Sequence, residues 1–199
     1  IEQILDDVWI GGAEFSPDGK TLALQGSPSA FDGLGRNLPE GMQANDYGGQ
    51  LYLYDLESKE PTAISKDLRP DIGWIEWSEA DGMIYARTTD TQYNNIYRYD
   101  PKKKNWKQLD TGFENTRQLA LASDAKIGVA RGTSATTPVR LHTIDLKKNQ
   151  PSLLLDPGVE AYRDIVFGKV ETWTTTLDKG MELDGFVYYP PGFDASRKY

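Results

Sequence analysis

Cysteine is absent from the chain, which excludes disulfides, thiolate metal sites and a thiol nucleophile. That absence leaves the compartment open, with export the favoured side. Histidine occurs once, as His142, so neither a histidine-based metal cluster nor a Ser-His-Asp constellation can be assembled around a second imidazole. No apolar run approaches the roughly 20 residues that a membrane-crossing helix needs. Basic residues are in deficit, with 22 Lys and Arg against 30 Asp and Glu and a formal charge of -8, and no basic stripe with interleaved aromatics offsets it. Such a surface repels phosphate backbones, so nucleic acid is excluded as a partner. Capped helices with a 3.6-residue apolar stripe are also missing. The chain starts at Ile1 without Met or a signal-like segment, which predicts a removed leader or a piece of a longer protein.

What is present is a repeat. Three segments share an ending: Gln50-Leu-Tyr-Leu-Tyr-Asp-Leu56, Asn95-Ile-Tyr-Arg-Tyr-Asp-Pro101 and Val139-Arg-Leu-His-Thr-Ile-Asp-Leu146. Their aspartates, Asp55, Asp100 and Asp145, are 45 residues apart each time, a period typical of propeller blades. Upstream of each lies a strand, tight turn and strand: Phe15-Ser-Pro-Asp-Gly-Lys-Thr-Leu-Ala-Leu24, Trp77-Ser-Glu-Ala-Asp-Gly-Met-Ile-Tyr-Ala86 and Leu121-Ala-Ser-Asp-Ala-Lys-Ile-Gly-Val-Ala130. Pro17, Asp18 and Gly19 suit the first turn and Asp81-Gly82 the second. In the third, Ala125 stands where glycine is expected, which predicts a weaker turn. A fourth strand follows each ending, at residues 61–65, 106–110 and 151–156. Leu51 and Leu53 alternate with Tyr52 and Tyr54, the pattern of a strand packed on both faces.

The predicted fold is therefore all-β, a partial β-propeller of about three four-stranded antiparallel blades, approximately 8–66, 67–111 and 112–157. The first unit is longer: Phe15 to Asp55 spans 40 residues, against 23 and 24 for the corresponding spans in the others. The excess is a stretch rich in Gly, Asn, Pro and Ser, from Gln25 to Gly49, between the second and third strands. Long non-repetitive loops on a repeat scaffold carry function disproportionately often. Phe31, Asp32, Arg36 and Asn37 within it are the candidate substrate or domain-interface contacts.

Beyond Pro157 the repeat stops. Val170-Glu-Thr-Trp-Thr-Thr-Thr-Leu177, a turn at Asp178-Lys-Gly180 and Glu182-Leu-Asp-Gly-Phe-Val-Tyr-Tyr189 predict a long hairpin. Pro190-Pro-Gly-Phe-Asp194 ends it. A boundary is expected between blades at 1–157 and a second unit at 158–199.

The phrase Leu183-Asp-Gly-Phe-Val-Tyr-Tyr-Pro-Pro-Gly-Phe-Asp194, followed by Arg197-Lys-Tyr199, resembles the start of the hydrolase domain in the prolyl oligopeptidase family of serine peptidases, which includes the dipeptidyl peptidase IV and acylaminoacyl peptidase branches. Phe15-Ser-Pro-Asp-Gly-Lys20 is similar to a blade signature, of WD40-like character, common in that family, and the propeller precedes the hairpin in the family's order. The resemblance implies that the hairpin opens an α/β-hydrolase domain, with missing blades and the rest of the hydrolase as partners and a peptide as substrate. The family's nucleophile elbow, Gly-x-Ser-x-Gly, is absent, so no catalytic residue is expected here and whether the chain is an enzyme rests on the parent. The glutamate pair with which the dipeptidyl peptidase branch holds a substrate amino terminus is absent as adjacent residues, leaving exopeptidase and endopeptidase readings open.

The remaining residues read structurally. His142 is a strand residue; Gly33-Leu-Gly35 lacks the third glycine and helix of a phosphate loop. Trp74, Trp77, Trp106 and Trp173 could stack sugars but fit a core. Asp55, Asp100 and Asp145 recur as turn residues. No metal or cofactor is predicted. The rival readings are a propeller that binds or scaffolds proteins or glycans, and a propeller lyase or glycosidase. Three blades cannot close a ring, so open faces at both ends and self-association through blade edges are expected.

Overall fold

The computed structural model describes residues 10–37, 46–177, 180 and 182–198. Residues 8 and 9 of the first predicted blade, 38–45 of the insertion, and Asp178 and Lys179 of the hairpin turn lie outside the described residues. The first blade is β1 (Ile10–Phe15), β2 (Thr21–Gly26), β3 (Gln50–Asp55) and β4 (Pro61–Ala63), paired antiparallel in that order. The second is β5 (Asp71–Trp77), β6 (Ile84–Asp90), β7 (Tyr93–Asp100) and β8 (Asn105–Leu109). The third is β9 (Asn115–Leu121), β10 (Ile127–Ser134), β11 (Thr137–Asp145) and β12 (Gln150–Leu155). A bridge between Asn94 and Asn115 joins the last two blades into one continuous sheet, yet each is a four-stranded antiparallel meander. One helical turn, α1 (Ala30–Gly33), lies in the insertion, and β13 (Val170–Thr176) pairs with β14 (Glu182–Tyr188).

Alternation decides what faces what. Leu51 and Ala23 point from the first blade into a core shared with Ile72, Ile75 and Ile84 of the second. Tyr52 and Tyr54, on the opposite face, cluster with Leu22 and Leu24. In β6 the same rule sends Ile84 and Ala86 toward the first blade and Tyr85 toward Leu119, Ala130 and Ile144 of the third. Of the tryptophans, Trp77 and Trp106 pack on the first of these cores and Trp74 on the second, whereas Trp173 is exposed.

Polar pairs lock the blades together. Gln25 donates from Nε2 to the carbonyl of Ile72 at 2.8 Å, and the Ile72 amide donates to Gly49 at 2.9 Å. Gly49 must be glycine, since a Cβ would lie 1.9 Å from the Ile72 oxygen. Asn115 Oδ1 accepts from the backbone and side chain of Asn94, both at 3.1 Å.

The recurrent aspartates all do one job. Asp55 Oδ1 accepts the amides of Glu57 and Ser58, Asp100 Oδ1 those of Lys102 and Lys103, and Asp145 Oδ1 those of Lys147 and Lys148. These bonds favour the charged carboxylate and hold all three below the ordinary aspartate range, the amide of Ser58, Lys103 or Lys148 contributing most. His142 is likewise structural: Nδ1 lies 2.9 Å from the Thr111 carbonyl oxygen and the ring stacks on Phe113.

One expectation changes. Open faces at both ends were predicted, but the insertion covers the outer face of the first blade: Phe31 packs edge-on to Tyr52 and parallel to Tyr54. The third-blade turn forms with Ala125 at φ 49, the left-handed conformation that Gly19 and Gly82 hold in the other two and that sterics disfavour for alanine.

Candidate functional site

In an antiparallel meander alternate connections share an end. The β2–β3 insertion, the β4–β5 connection and the β6–β7 turn therefore lie together, opposite the aspartate turns. At this end a cleft of about 410 Å³ opens between the insertion and the β4–β5 connection. Arg36, Asn37 and Gly35 form one wall; Lys66, Asp67, Arg69 and Asp71 form the other.

Two of the four predicted contact residues line this cleft. Arg36 Nη2 donates to Ser29 Oγ at 2.7 Å and pairs with Asp46 at 3.6 Å, while Ser29 Oγ also donates to Asp46. Asn37 Nδ2 bridges the walls, donating to the Lys66 carbonyl at 3.2 Å and to Asp67 Oδ1 at 3.1 Å. The other two are elsewhere: Phe31 packs on the tyrosines and Asp32 is exposed. Gly35 is confined beneath the Tyr52 hydroxyl, which donates to the Ser27 carbonyl at 2.7 Å. Burial pushes the Tyr52 phenol up to about 12.

The cleft's second wall is missing from the sequence reading. Its signal was a charge-dense connector, Lys66-Asp-Leu-Arg-Pro-Asp71, joining two blades. Asp71 is held above the ordinary aspartate range first by burial and then by Asp90, whose own charge pairs with Arg69 at 3.3 Å. Arg69 also lines a second cleft of about 240 Å³, with Asp90, Gln92 and Tyr93 on the propeller side and Thr172, Trp173 and Asp184 on the hairpin side. There Tyr93 meets Phe186 edge-on, with ring centroids 5.9 Å apart. The hairpin thus sits at the same end of the blades as the insertion.

A further electrostatic pair escapes linear reading. Glu76 in β5 is raised above the ordinary glutamate range by burial and then by Glu14 in β1, a carboxylate from the neighbouring blade. Among the described residues no group of three or more His, Asp or Glu side chains is disposed to hold a metal, and no helix is long and apolar enough to cross a membrane.

No protein-family model matches the chain, and no curated protein is similar to it in sequence at a significant level. Solved structures are similar in fold. Acylaminoacyl peptidase in complex with Z-Gly-Gly-Phe-chloromethyl ketone aligns over 99% of this chain and 27% of its own, with 17% identity and a TM-score of 0.69. Puromycin hydrolase aligns over 95% of this chain and 27% of its own, with 16% identity and a TM-score of 0.65. TolB from Acinetobacter baumannii aligns over 89% and 40%, with 17% identity and a TM-score of 0.51. The chain spans about a quarter of the length of the two hydrolytic enzymes. At these identities the likeness defines the fold: blades of a β-propeller, of the kind found in propeller-containing peptidases. The resemblance drawn from Leu183 to Asp194 is to that same group of enzymes.

Proposed function

We propose that this chain is the junction of a serine peptidase of the prolyl oligopeptidase family, in which residues 1–157 supply propeller blades and residues 158–199 link to and open an α/β-hydrolase domain. The observation that carries the reading is the placement of β13 and β14 at the insertion end of the blades, through Tyr93 and Phe186 and the cleft that Arg69 lines together with Thr172, Trp173 and Asp184. β14 runs directly into the Pro190-Pro-Gly phrase, so the strands that roof the propeller mouth are the ones that resemble the family. In this reading the propeller gates and shapes a cavity for peptides, Arg36 and Asn37 contact substrate or the facing domain, and Ser, Asp and His of the triad lie outside residues 1–199. The chain by itself is then inert.

The test is labelling with a fluorophosphonate probe for activated serines, applied to this chain and to a longer protein that contains it, followed by turnover of Xaa-Pro and Xaa-Ala chromogenic peptides. Labelling of the longer protein alone supports the reading. Labelling of neither, beside a reactive control peptidase, replaces it with a propeller that binds or scaffolds proteins or glycans.

A further inference from the structure

A further cavity, distinct from both clefts and of about 240 Å³, lies between the second and third blades and is lined by Trp74, Arg87, Arg117, Gln118 and Leu119. Trp74 and Arg117 come from β5 and β9, the first strands of their blades, the side that faces the axis in a propeller. Arg87 is anchored: Nη1 donates to the Arg117 carbonyl at 2.9 Å. Among the described residues neither Arg87 nor Arg117 forms an ion pair, as is true also of Arg98 and Arg131, whose partners are the Leu146 carbonyl and Gln118; what sets Arg87 and Arg117 apart is that both line one cavity. Two arginines lining one cavity with no carboxylate partner make it a cationic site in a chain whose net charge is -8.

We propose that this cavity binds a carboxylate group of a peptide. A guanidinium presents a fork of donors matched to a carboxylate, and Arg87 is already fixed by its carbonyl anchor, so little order is lost on binding. Trp74 supplies a flat apolar wall. The volume is below the range of about 300–1,000 Å³ that encloses a drug-sized ligand, so the site takes one residue of a chain and not a folded partner. The junction between the first and second blades carries Glu14 and Glu76 instead, which turns an anion away from it and toward the arginines. The site stands apart from any hydrolytic chemistry, and its test reads binding alone.

The test is a titration of the full chain followed through the Trp74 indole N–H resonance, assigned with Trp74→Phe. The probes are N-acetyl-Ala-Ala-Ala with a free carboxylate, its carboxamide, and N-acetyl-Ala-Glu-Ala carboxamide. A saturable shift with either carboxylate probe is expected; which one binds more tightly tells a chain terminus from an acidic side chain. Arg117→Gln, at an exposed position, weakens the effective probe about tenfold, the worth of one charge-assisted hydrogen bond, and Arg117→Lys weakens it less. Lys107→Gln, which removes a charge elsewhere, leaves it unchanged. The proposal is overturned if neither carboxylate probe shifts the resonance, if the carboxamide shifts it equally, or if Arg117→Gln binds as tightly as the unaltered chain.

Discussion

At the scale of the residue, the repeat makes its own controls. Gly19, Gly82 and Ala125 occupy equivalent turns at φ 68, 70 and 49. An L-residue in this conformation costs about 1–2 kcal/mol that glycine does not, offset by roughly 0.5–1 kcal/mol of extra freedom in the unfolded chain. Ala125→Gly is therefore expected to raise unfolding stability by up to about 1 kcal/mol in a urea titration. Gly82→Ala should lower it by a similar amount. A loss on Ala125→Gly would show that the turn is unstrained. The aspartate turns give a pH dependence of fixed sign. Asp55, Asp100 and Asp145 have folded pKa values below the ordinary one, so their contribution is full above the unfolded value, near 3.9, and is lost as pH falls through the folded values. Glu76 runs the other way, since a raised carboxyl costs stability at neutral pH and the cost fades on acidification. Thermal midpoints between about pH 7 and pH 3 should then show the penalty of Asp100→Asn beginning to shrink at the acid end, and Glu76→Gln losing its gain there. The turn role of the aspartates was legible in their period. The Glu14 and Glu76 pairing was not, because it is made by stacking one blade on the next.

At the scale of the element, the insertion is more than a loop. Phe31 and Asp32 adopt φ 53 and 58 in succession and Gly33 follows at 81, a left-handed turn that sterics disfavour for the first two. Packing on Tyr52 and Tyr54 offsets that strain. Two opposed effects thus meet in one side chain, and substitution separates them. Phe31→Ala removes the ring and keeps a strained Cβ, at a cost of about 1–3 kcal/mol for a half-buried aromatic. Phe31→Gly removes the ring and the strain together. Glycine is expected to be the less damaging replacement by chemical denaturation, the reverse of the order in a helix or strand; alanine proving better would place the strain elsewhere. The insertion's existence was legible from the broken period, and so was its candidate status. Its fold-back was hidden, because the aromatic that covers the blade looks like any loop phenylalanine until the face it covers is known. The same limit applies to the cleft, whose far wall at Lys66 to Asp71 is distant in sequence from Asn37.

At the scale of the molecule, the two ends of the blade stack differ. The first blade buries its outer face under the insertion, while the third presents Ala120, Ile127, Val129, Leu141 and Leu155 on the face turned from the second. Register fixes that assignment: Ala130 points into the shared core, so its neighbours Val129 and Arg131 point out, and Arg131 pairs with Leu141, which pairs with Leu155. Ile127 and Leu155 are about half exposed. Burial of such side chains returns about 25 cal/mol per Å² of apolar surface removed from water, enough to favour covering the face by another sheet. The chain alone is expected to associate with rising concentration in sedimentation velocity. Leu141→Glu, which sets a carboxylate opposite Arg131 on that face, should shift it toward monomer without loss of cooperative unfolding. If the unaltered chain stays a folded monomer throughout, the third blade's face has no need of a partner. If Leu141→Glu leaves association unchanged, the contact runs through the exposed hairpin, where Leu183, Val187 and Tyr188 offer the alternative surface.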